Sequence, residues 1–256
     1  MDLKERRQMN TVKRHPWEMS RAQVIADLLK LNPEREYRIL DIGCGDLFLE
    51  EYLLERYALL QFYCVDIAYS EEEVTVLNQK NKRIRVYNNF ADVADEVRQM
   101  DIVLLLDVVE HIERERDFLE ELISRPFFTK QTEILITVPA FQCLYTSHDH
   151  FLGHYRRYSL KEIRRLVQQA DLKLLTSGYF YMSLLIPRML KKGKENLVGK
   201  GRDTTGLVEW KGGAGWTSFL KKVLTFDYRT GKFFKAMGLS LPGLSTYVLC
   251  RKKSVS

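Results

Sequence analysis

A glycine-bracketed turn follows a run of apolar residues near the start of the chain. The run ends in Asp41, and Gly43 and Gly45 enclose the turn before a helix-like segment begins at Leu47. A strand, a tight loop and a helix in this order bring a nucleotide-like ligand close to bare backbone at a helix N-terminus. A second apolar run ends twenty-one residues beyond Gly45 in Asp66, an acid that can accept both hydroxyls of a ribose. Together they predict a ligand with an adenosine half.

A histidine-rich segment is the second place where the sequence could do chemistry. Three of the five histidines fall between residues 148 and 154, next to two arginines. Histidine can act as a general base near neutral pH, and arginine can hold a carboxylate or phosphate through paired hydrogen bonds. We predict His150 or His154 as the base, with His111 as a further candidate. The predicted acceptor-binding residues are Tyr145, His148, Arg156, Arg157 and Tyr158. The alternative, that this segment only braces the sheet, stays open.

These residues are far apart in the chain, so they need a scaffold that brings strand ends together. Strands are predicted at residues 38–42, 61–65, 84–87, 102–106, 133–138, 172–181 and 245–250. Helical spacing appears at residues 17–31, 47–57, 71–78, 91–100, 113–124, 160–170 and 219–234, with Ser159 as an N-cap. The alternation predicts an α/β fold with a doubly wound sheet, and the wholly apolar strand at 102–106 is typical of its centre.

Composition narrows the class of protein. A chain of 256 residues with 45% hydrophobic and 29% charged residues is typical of one large globular domain, with or without an insert. The four cysteines have no paired spacing, which argues against a disulfide framework or a zinc site and favours the reducing cytoplasm. The charged N-terminus predicts no signal peptide, and no apolar run reaches 18 residues, so no membrane-spanning helix is predicted.

Charge is unevenly distributed along the chain. Residues 186–256 hold 15 Lys and Arg against 4 Asp and Glu, a net +11, which leaves 25 against 30 for residues 1–185. This basic part is either an ordinary solvated surface or a contact for an anionic partner such as lipid headgroups, phosphorylated glycan or RNA. The aromatic and apolar segment at residues 179–187 is either core or an interfacial segment on an anionic membrane. Seven of the 14 glycines lie in residues 191–215, which predicts a mobile loop.

The glycine loop distinguishes between two adenosine ligands. A dinucleotide-binding loop of the NAD type requires a third glycine where this chain has Phe48, which disfavours an NAD oxidoreductase. The loop instead resembles the Asp-x-Gly-x-Gly-x-Gly motif of class I S-adenosylmethionine-dependent methyltransferases, with Leu47 in place of the last glycine. A side chain at Leu47 would narrow the loop, so a non-catalytic cofactor-binding protein stays an alternative.

The resemblance to that family extends beyond the loop. Residues 106–112 resemble the Glu-His segment after its fourth strand, and residues 137–140 resemble the end of its fifth strand. Residues 148–158 are similar to a segment of a bacterial subgroup often associated with cell-surface glycan and lipid biosynthesis. Residues 15–17 and Arg21 resemble the lid helix of the same subgroup. The likeness covers roughly residues 15–190 and the last strand.

The resemblance implies a Rossmann-like seven-stranded sheet with an antiparallel last strand and an insert before it. It implies an N-terminal arm and lid helix at 1–36, a core at 37–181, a basic substrate cover at 182–244 and a last strand with a basic tail at 245–256. It also implies S-adenosylmethionine as cofactor. The residues predicted to bind it are Asp41, Gly43, Cys44, Gly45, Asp66, Ile67, Asn89, Phe90, Asp107 and Val108. Asp107 is expected to face the positively charged sulfur, since a carboxylate favours a cation.

The predicted function is methyl transfer to a small or lipid-linked acceptor by a cytoplasmic enzyme, with possible peripheral contact to an anionic membrane. Asp107, Glu110 and His111 have the spacing of a metal site in one branch of the family, but two acids and an imidazole suit magnesium only moderately, and no metal is predicted. An RNA methyltransferase stays an alternative because of the basic tail, although no RNA-binding module is recognisable and nucleic acid is not a predicted partner.

Overall fold

The central sheet positions every candidate residue. The computed structural model describes residues 14–97, 99–198, 210 and 212–253. Within them lie the strands β1 (Tyr37–Ile42), β2 (Leu60–Val65), β3 (Ile84–Tyr87), β4 (Ile102–Leu106), β5 (Glu133–Pro139), β6 (Leu172–Phe180) and β7 (Ser245–Lys252). They form one sheet in the order β3-β2-β1-β4-β5-β7-β6. The first five strands pair in parallel, whereas β7 is antiparallel to both β5 and β6. The predicted fold class is confirmed.

Helices connect and cover the strands. They are α1 (Pro16–Leu29), α2 (Phe48–Leu54), α3 (Glu71–Lys80), α4 (Phe90–Glu96), α5 (Glu115–Ser124), α6 (Ser147–Leu152), α7 (Leu160–Gln169), α8 (Leu185–Val198) and α9 (Ala214–Ala236). Several begin where a side chain accepts a free backbone N–H group of the first turn. Ser159 caps α7 as predicted, and its Oγ accepts the N–H of Glu162 at 3.3 Å. No helix of the described part of the chain is long and apolar enough to cross a bilayer.

Side chains alternate across the buried strands and build one core on each face of the sheet. On one face Ile39 and Leu104 pack with residues of α1, α2 and α9. On the other face Leu40 and Val103 pack with residues of α4, α5 and α7. Both faces are covered, which is why the central strand at 102–106 is apolar at every position.

The segment between the last two strands departs from its prediction. Residues 191–198, predicted as the start of a loop, are helical and complete α8. Gly193 is the one glycine inside this helix, and the roughly 1 kcal/mol that a helical glycine costs is small beside the good helix formers around it. Residues 199–209 and 211 of the predicted loop lie outside the described residues. The predicted helix at 219–234 is confirmed as the central part of α9.

The aromatic segment that precedes the insert belongs to the core. Phe180 and Tyr181 are buried, so the interfacial interpretation is wrong for these two residues. Gly243 lets the chain return beside them, because a Cβ at that position would lie 2.3 Å from the carbonyl oxygen of Phe180. The insert therefore leaves the sheet and re-enters it at adjacent points.

Candidate active site

The carboxyl ends of β1, β2 and β4 meet at one edge of the sheet. The strand order reverses between β1 and β4, and the crevice outside the carboxyl ends at such a reversal is where open α/β sheets bind ligands. A cavity of about 940 Å³ lies there, at the upper end of the size range of small-molecule sites. It has room for a cofactor and an acceptor together.

The glycine loop after β1 brings bare backbone to this cavity. Gly43 has a φ of +76°, and a Cβ there would lie 2.7 Å from Cγ2 of Val108. Its N–H donates to the carbonyl oxygen of Val65 at 2.7 Å, which fixes the turn against β2. Only glycine fits this position, because both the positive φ and the close approach exclude a side chain.

Leu47 keeps the backbone shape that a glycine would have at the end of the loop. Its φ is +62°, a left-handed conformation that costs an ordinary residue about 1 kcal/mol or more. Its side chain is buried in the core with Leu53 and Tyr69 and does not line either cavity at the strand ends. The concern that this side chain narrows the ligand loop is therefore not supported by its position.

Asp66 ties the end of β2 to the glycine loop. One carboxylate oxygen accepts the N–H of Gly45 and the other accepts the N–H of Ala68, each at 3.0 Å. A carboxylate at this strand end is the type of group that accepts the hydroxyls of a ribose. Ile67 lines the cavity and is 88% exposed, which leaves an apolar surface beside Asp66 for a flat ring.

Asp107 stands at the end of β4 in a left-handed conformation, with φ at +59°. Its carboxylate pairs with Arg21 of α1 at 2.9 Å and accepts the hydroxyl of Thr137 at 3.1 Å. Arg21 also donates to the Thr137 hydroxyl at 3.1 Å. The predicted negative charge at this strand end is thus largely balanced by Arg21 of α1.

A buried pair of carboxyl groups lies beneath the glycine loop. Asp41 and Glu50 are both buried, and burial together with the mutual repulsion of two carboxylates raises the pKa of Asp41 well above its usual range. Burial also raises the pKa of Glu50, so the pair gives up its protons at a higher pH than exposed carboxyl groups do. Asp41 and Cys44 line a smaller cavity of about 50 Å³ next to the main one, and burial raises the pKa of the Cys44 thiol to about 12.

Glu110 is a buried acid that faces the main cavity. Neither of its carboxyl oxygens has a hydrogen-bond partner among the described residues. Burial, followed by the negative charge of Asp107, raises its pKa well above the usual range. Glu110 is therefore neutral over a wider pH range than an exposed glutamate and can donate a proton into the cavity.

His154 is oriented by a buried ion-pair cluster centred on Asp149. His154 Nδ1 lies 3.1 Å from Asp149 Oδ1, and Arg157 and Arg188 bind the same carboxylate from two other directions. Although burial opposes ionisation, the hydrogen bond from His154 and the two guanidinium charges lower the pKa of Asp149 far below its usual range. With Nδ1 donating to Asp149, the neutral ring of His154 carries its lone pair on Nε2.

Three cavity residues form a set of potential metal ligands. Glu110, His111 and His154 each offer a ligand atom within 4.8 Å of the other two, and the rings of His111 and His154 meet edge to face at 4.6 Å. The spacing of the sequence motif pointed to Asp107 as the third group, but Asp107 pairs with Arg21 instead. Two imidazoles and one carboxylate suit a zinc-like ion better than magnesium.

Most of the predicted site residues converge. Those that line the main cavity are Gly43, Asp66, Ile67, Phe90, Asp107, Val108, His111, His148, His154 and Arg157. Burial, with the nearby charges of Arg188 and Lys191, lowers the pKa of His148 to about 4. His148 is therefore neutral at physiological pH and presents an uncharged ring to the cavity.

Asp41 and Cys44 line the smaller cavity, and the six remaining predicted residues line neither cavity. Asn89 is exposed and its Oδ1 accepts the N–H of Ala91 as the cap of α4, and His150 is exposed on α6. Arg156 binds Glu115 and the carbonyl oxygen of Glu113 on another side of the protein. The others are Gly45, Tyr145 and Tyr158, which support the site through the bond to Asp66, a bond to the carbonyl oxygen of His154 and packing in the core.

Several cavity residues were not among the predicted site residues. Trp17 and Arg21 come from α1, Asp149 from α6 and Arg188 from α8. Asp149 lies inside the histidine-rich segment, but its neighbours His148 and His150 were predicted as site residues in its place. Arg188 had no signal in the sequence, because only the path of the insert brings it 39 positions back to Asp149.

Comparisons with known proteins agree with this geometry. A family model described as "Methyltransferase domain" matches residues 17–177, more than half of the chain. No curated protein matches the sequence. Among solved structures, an S-adenosylmethionine-dependent methyltransferase from Archaeoglobus fulgidus is similar at 16% identity with a TM-score of 0.51, over 92% of this chain and 94% of that chain.

Two further structures show how widely this fold is used. The 1,6-didemethyltoxoflavin-N1-methyltransferase of Burkholderia thailandensis, solved with S-adenosylhomocysteine, is similar at 15% identity with a TM-score of 0.55, over 99% of this chain and 84% of that one. The [4+2]-cyclase SpnF is similar at 13% identity with a TM-score of 0.53, over 95% of this chain and 84% of that one. At such identities the likeness shows the fold.

Proposed function

The chain belongs to the methyltransferase domain family, whose cofactor is S-adenosylmethionine, and from this premise we propose that it methylates a small or lipid-linked acceptor held beside His154. The observation that carries the proposal is the continuity of the main cavity. One wall is the glycine loop with Asp66 and Val108, and the other holds His111 and His154. A donor on the first wall and an acceptor on the second would meet inside one enclosed space.

The donor wall fits the cofactor chemically. Gly43 brings bare backbone to the cavity, the carboxylate of Asp66 is the type of group that accepts ribose hydroxyls, and Ile67 offers an apolar face to the adenine. When bound, S-adenosylmethionine supplies a methyl group on a positively charged sulfur. Asp107 lies at the end of the central strand, where its pairing with Arg21 orients the carboxylate.

The acceptor wall supplies the base. When an acceptor oxygen or nitrogen takes up the methyl group, its proton would pass to Nε2 of His154. Asp149 stabilises the imidazolium that results, because its carboxylate already binds Nδ1. Arg157 lines the same wall and would attract an acidic acceptor.

A matched pair of histidine variants tests the base. We expect His154→Ala to lower the rate of methyl transfer by roughly 10²- to 10⁴-fold and to leave the affinity for S-adenosylhomocysteine within twofold. His150→Ala is the control, because His150 is exposed nearby and does not line the cavity. The rate would be measured by transfer of a labelled methyl group into aqueous and lipid extracts of cells. Equal rates for the two variants would remove His154 from the mechanism.

The same experiment separates the alternatives. The cyclase with the same fold shows why fold alone does not prove methyl transfer. Binding of S-adenosylhomocysteine by calorimetry without labelled product in any extract would favour a non-catalytic cofactor-binding protein. Label that appears in added RNA, with binding that weakens steeply with salt, would favour the RNA methyltransferase instead.

A further inference from the structure

The longest helix of the insert presents an apolar stripe to the outside. The opposite face of α9 packs into the core through Leu224 and Tyr228. The exposed residues follow one another at intervals of three, four, three, seven and four positions, which places them on one side of the helix. We call this row the α9 stripe, and it consists of Trp216, Phe219, Val223, Phe226, Phe233 and Met237.

The stripe is too long and too aromatic to be ordinary surface. From its first to its last residue it extends over roughly 30 Å at the usual rise of a helix. Phe226 is 73% exposed and Phe233 is 61% exposed. Single exposed apolar residues need no explanation, but a continuous row of them marks a contact with a partner or a membrane.

Positive charge lies along the stripe. Lys222 stands three positions after Phe219 and four before Phe226, and Arg229 is placed in the same way between Phe226 and Phe233. Both cations are exposed and lie next to the stripe on the helix surface. Each step along the stripe thus combines an aromatic ring with a cation, the pattern of a helix that lies in an anionic lipid interface.

The acidic residues of α8 and α9 do not offset the positive charge of Lys222 and Arg229. Among the described residues of α8 and α9 the acids are Glu195 and Asp227. Glu195 accepts the hydroxyl of Ser147 at 3.0 Å, and the buried Asp227 accepts the hydroxyl of Ser183 at 2.6 Å. Both carboxylates point back into the protein, so the outer side of α8 and α9 is left basic.

This charge disfavours a second copy of the chain as the occupant. A contact between two copies of the stripe would place Lys222 and Arg229 of one copy near the same residues of the other. Like charges brought together in a buried contact are costly. An anionic surface gains from the same residues, so charge complementarity selects a negatively charged partner that also accepts aromatic side chains.

The stripe is continuous with the active-site cavity. Val223 belongs to the stripe and also lines the cavity, next to Leu220 and Leu224 of the same helix. At this point α9 has the outer surface on one side and the cavity on the other. A hydrophobic molecule that leaves the stripe at Val223 would therefore enter the main cavity, which His154 also lines.

We propose that the α9 stripe docks the protein on an anionic lipid bilayer, with Lys222 and Arg229 among the headgroups, and that a lipid-linked acceptor enters the cavity past Val223. The second part rests on the proposed methyl transfer, whereas docking does not. Docking needs neither cofactor nor acceptor and can be measured alone.

Vesicle sedimentation tests the docking. We expect the purified protein to bind vesicles of phosphatidylcholine that contain about one third phosphatidylglycerol, and not vesicles of phosphatidylcholine alone. The binding should weaken as the salt concentration rises. The variants Phe219→Ser/Phe226→Ser and Lys222→Glu/Arg229→Glu should each bind at least about tenfold more weakly. Quenching of tryptophan fluorescence by brominated lipid, lost in Trp216→Phe, would report contact independently.

Matched controls isolate the stripe from general charge and hydrophobicity. Lys82→Glu/Lys173→Glu makes the same change in net charge at exposed positions of other elements, and Val76→Ser removes an exposed apolar residue of α3. Both should bind vesicles as the unchanged protein does. All variants should bind S-adenosylhomocysteine with unchanged affinity, which shows that they are folded.

Three outcomes would overturn the proposal. The first is equal binding to neutral and anionic vesicles, and the second is absence of binding to both. The third is a stable dimer that the Phe219→Ser/Phe226→Ser variant converts to a monomer, because the stripe would then be the contact between two copies. Vesicle binding by a protein that transfers no methyl group would refute the proposed function while leaving the docking proposal standing. Methyl transfer by a protein that does not bind vesicles would refute the docking proposal and leave the proposed function standing.

Discussion

The two walls of the main cavity are held in place by different forces. On the donor wall, the glycine loop is held through its own N–H groups: Gly43 donates to the carbonyl oxygen of Val65 and Gly45 donates to the carboxylate of Asp66. On the acceptor wall, His154, Arg157 and Arg188 are joined through one buried carboxylate, Asp149. The first wall follows from the ends of neighbouring strands, and the second depends on ion pairs between distant segments.

The difference explains what each wall can tolerate. Backbone bonds between strand ends persist when a side chain changes, so the donor wall accepts Leu47 in place of a glycine. A buried carboxylate that binds two arginines and a histidine is satisfied only as a complete set, because its loss leaves two guanidinium groups charged and buried. We expect the donor wall to lose affinity and the acceptor wall to lose stability when each is disturbed.

The largest expected effect comes from breaking the acceptor wall at its centre. Asp149→Ala leaves two arginines without their carboxylate, and we expect the free energy of unfolding to fall by about 3–5 kcal/mol. Chemical denaturation would measure it. Glu55→Ala is the matched control, since Glu55 is exposed and pairs with Arg56 at the surface, and its effect should stay within about 0.5 kcal/mol. Equal losses would show that the buried cluster adds nothing.

Glu110 lies between the two walls and gives the next effect. Its raised pKa means that the folded protein keeps a proton that the unfolded chain releases above about pH 4.5. Stability is therefore unaffected below that pH and falls as pH rises, by up to about 1.4 kcal/mol per pH unit until the folded pKa is reached.

The variant Glu110→Gln removes this dependence. Its advantage in unfolding free energy over the unchanged protein should grow between pH 5 and pH 7, by up to about 3 kcal/mol. Parallel urea titrations at several pH values would measure the difference. A difference that stays constant with pH would mean that Glu110 titrates at its ordinary value.

A change on the donor wall should act on affinity. Asp66→Ala removes a charged acceptor, and we expect S-adenosylhomocysteine to bind more weakly by about 1–3 kcal/mol, or roughly 10- to 100-fold. Titration calorimetry would measure this, with the exposed Asp117→Ala as control. Unchanged affinity in Asp66→Ala would exclude Asp66 from ribose binding.

The smallest effect sharpens the border of the donor wall. Asn89 was predicted to bind the cofactor, but its side chain caps α4. We expect Asn89→Ala to lower stability by about 1 kcal/mol and Asn89→Ser, which keeps a capping oxygen, to lower it less. Neither should change the affinity for S-adenosylhomocysteine by more than twofold. A tenfold loss in both would return Asn89 to the cofactor site.

The sequence allowed the donor wall to be predicted and much of the acceptor wall not. The glycines, Asp66 and Asp107 stand at strand ends, and the carboxyl ends of parallel strands meet at one edge. His150 was chosen with His154 because both belong to one short segment, and only the path of α6 shows that His150 is exposed. Arg188 was out of reach because no local pattern records an ion pair between segments 39 residues apart.

The return of the chain at Ser245 has a consequence for how this protein can diversify. Ser245 pairs with Phe180 in the sheet, so the 64 residues between them form one long connection of a hairpin. Closing such a connection costs only about 2–3 kcal/mol more than closing a four-residue turn, because the entropy grows with the logarithm of length. One contiguous stretch of gene can therefore be exchanged, shortened or recombined, while the inherited sheet keeps the glycine loop and Asp66 in place.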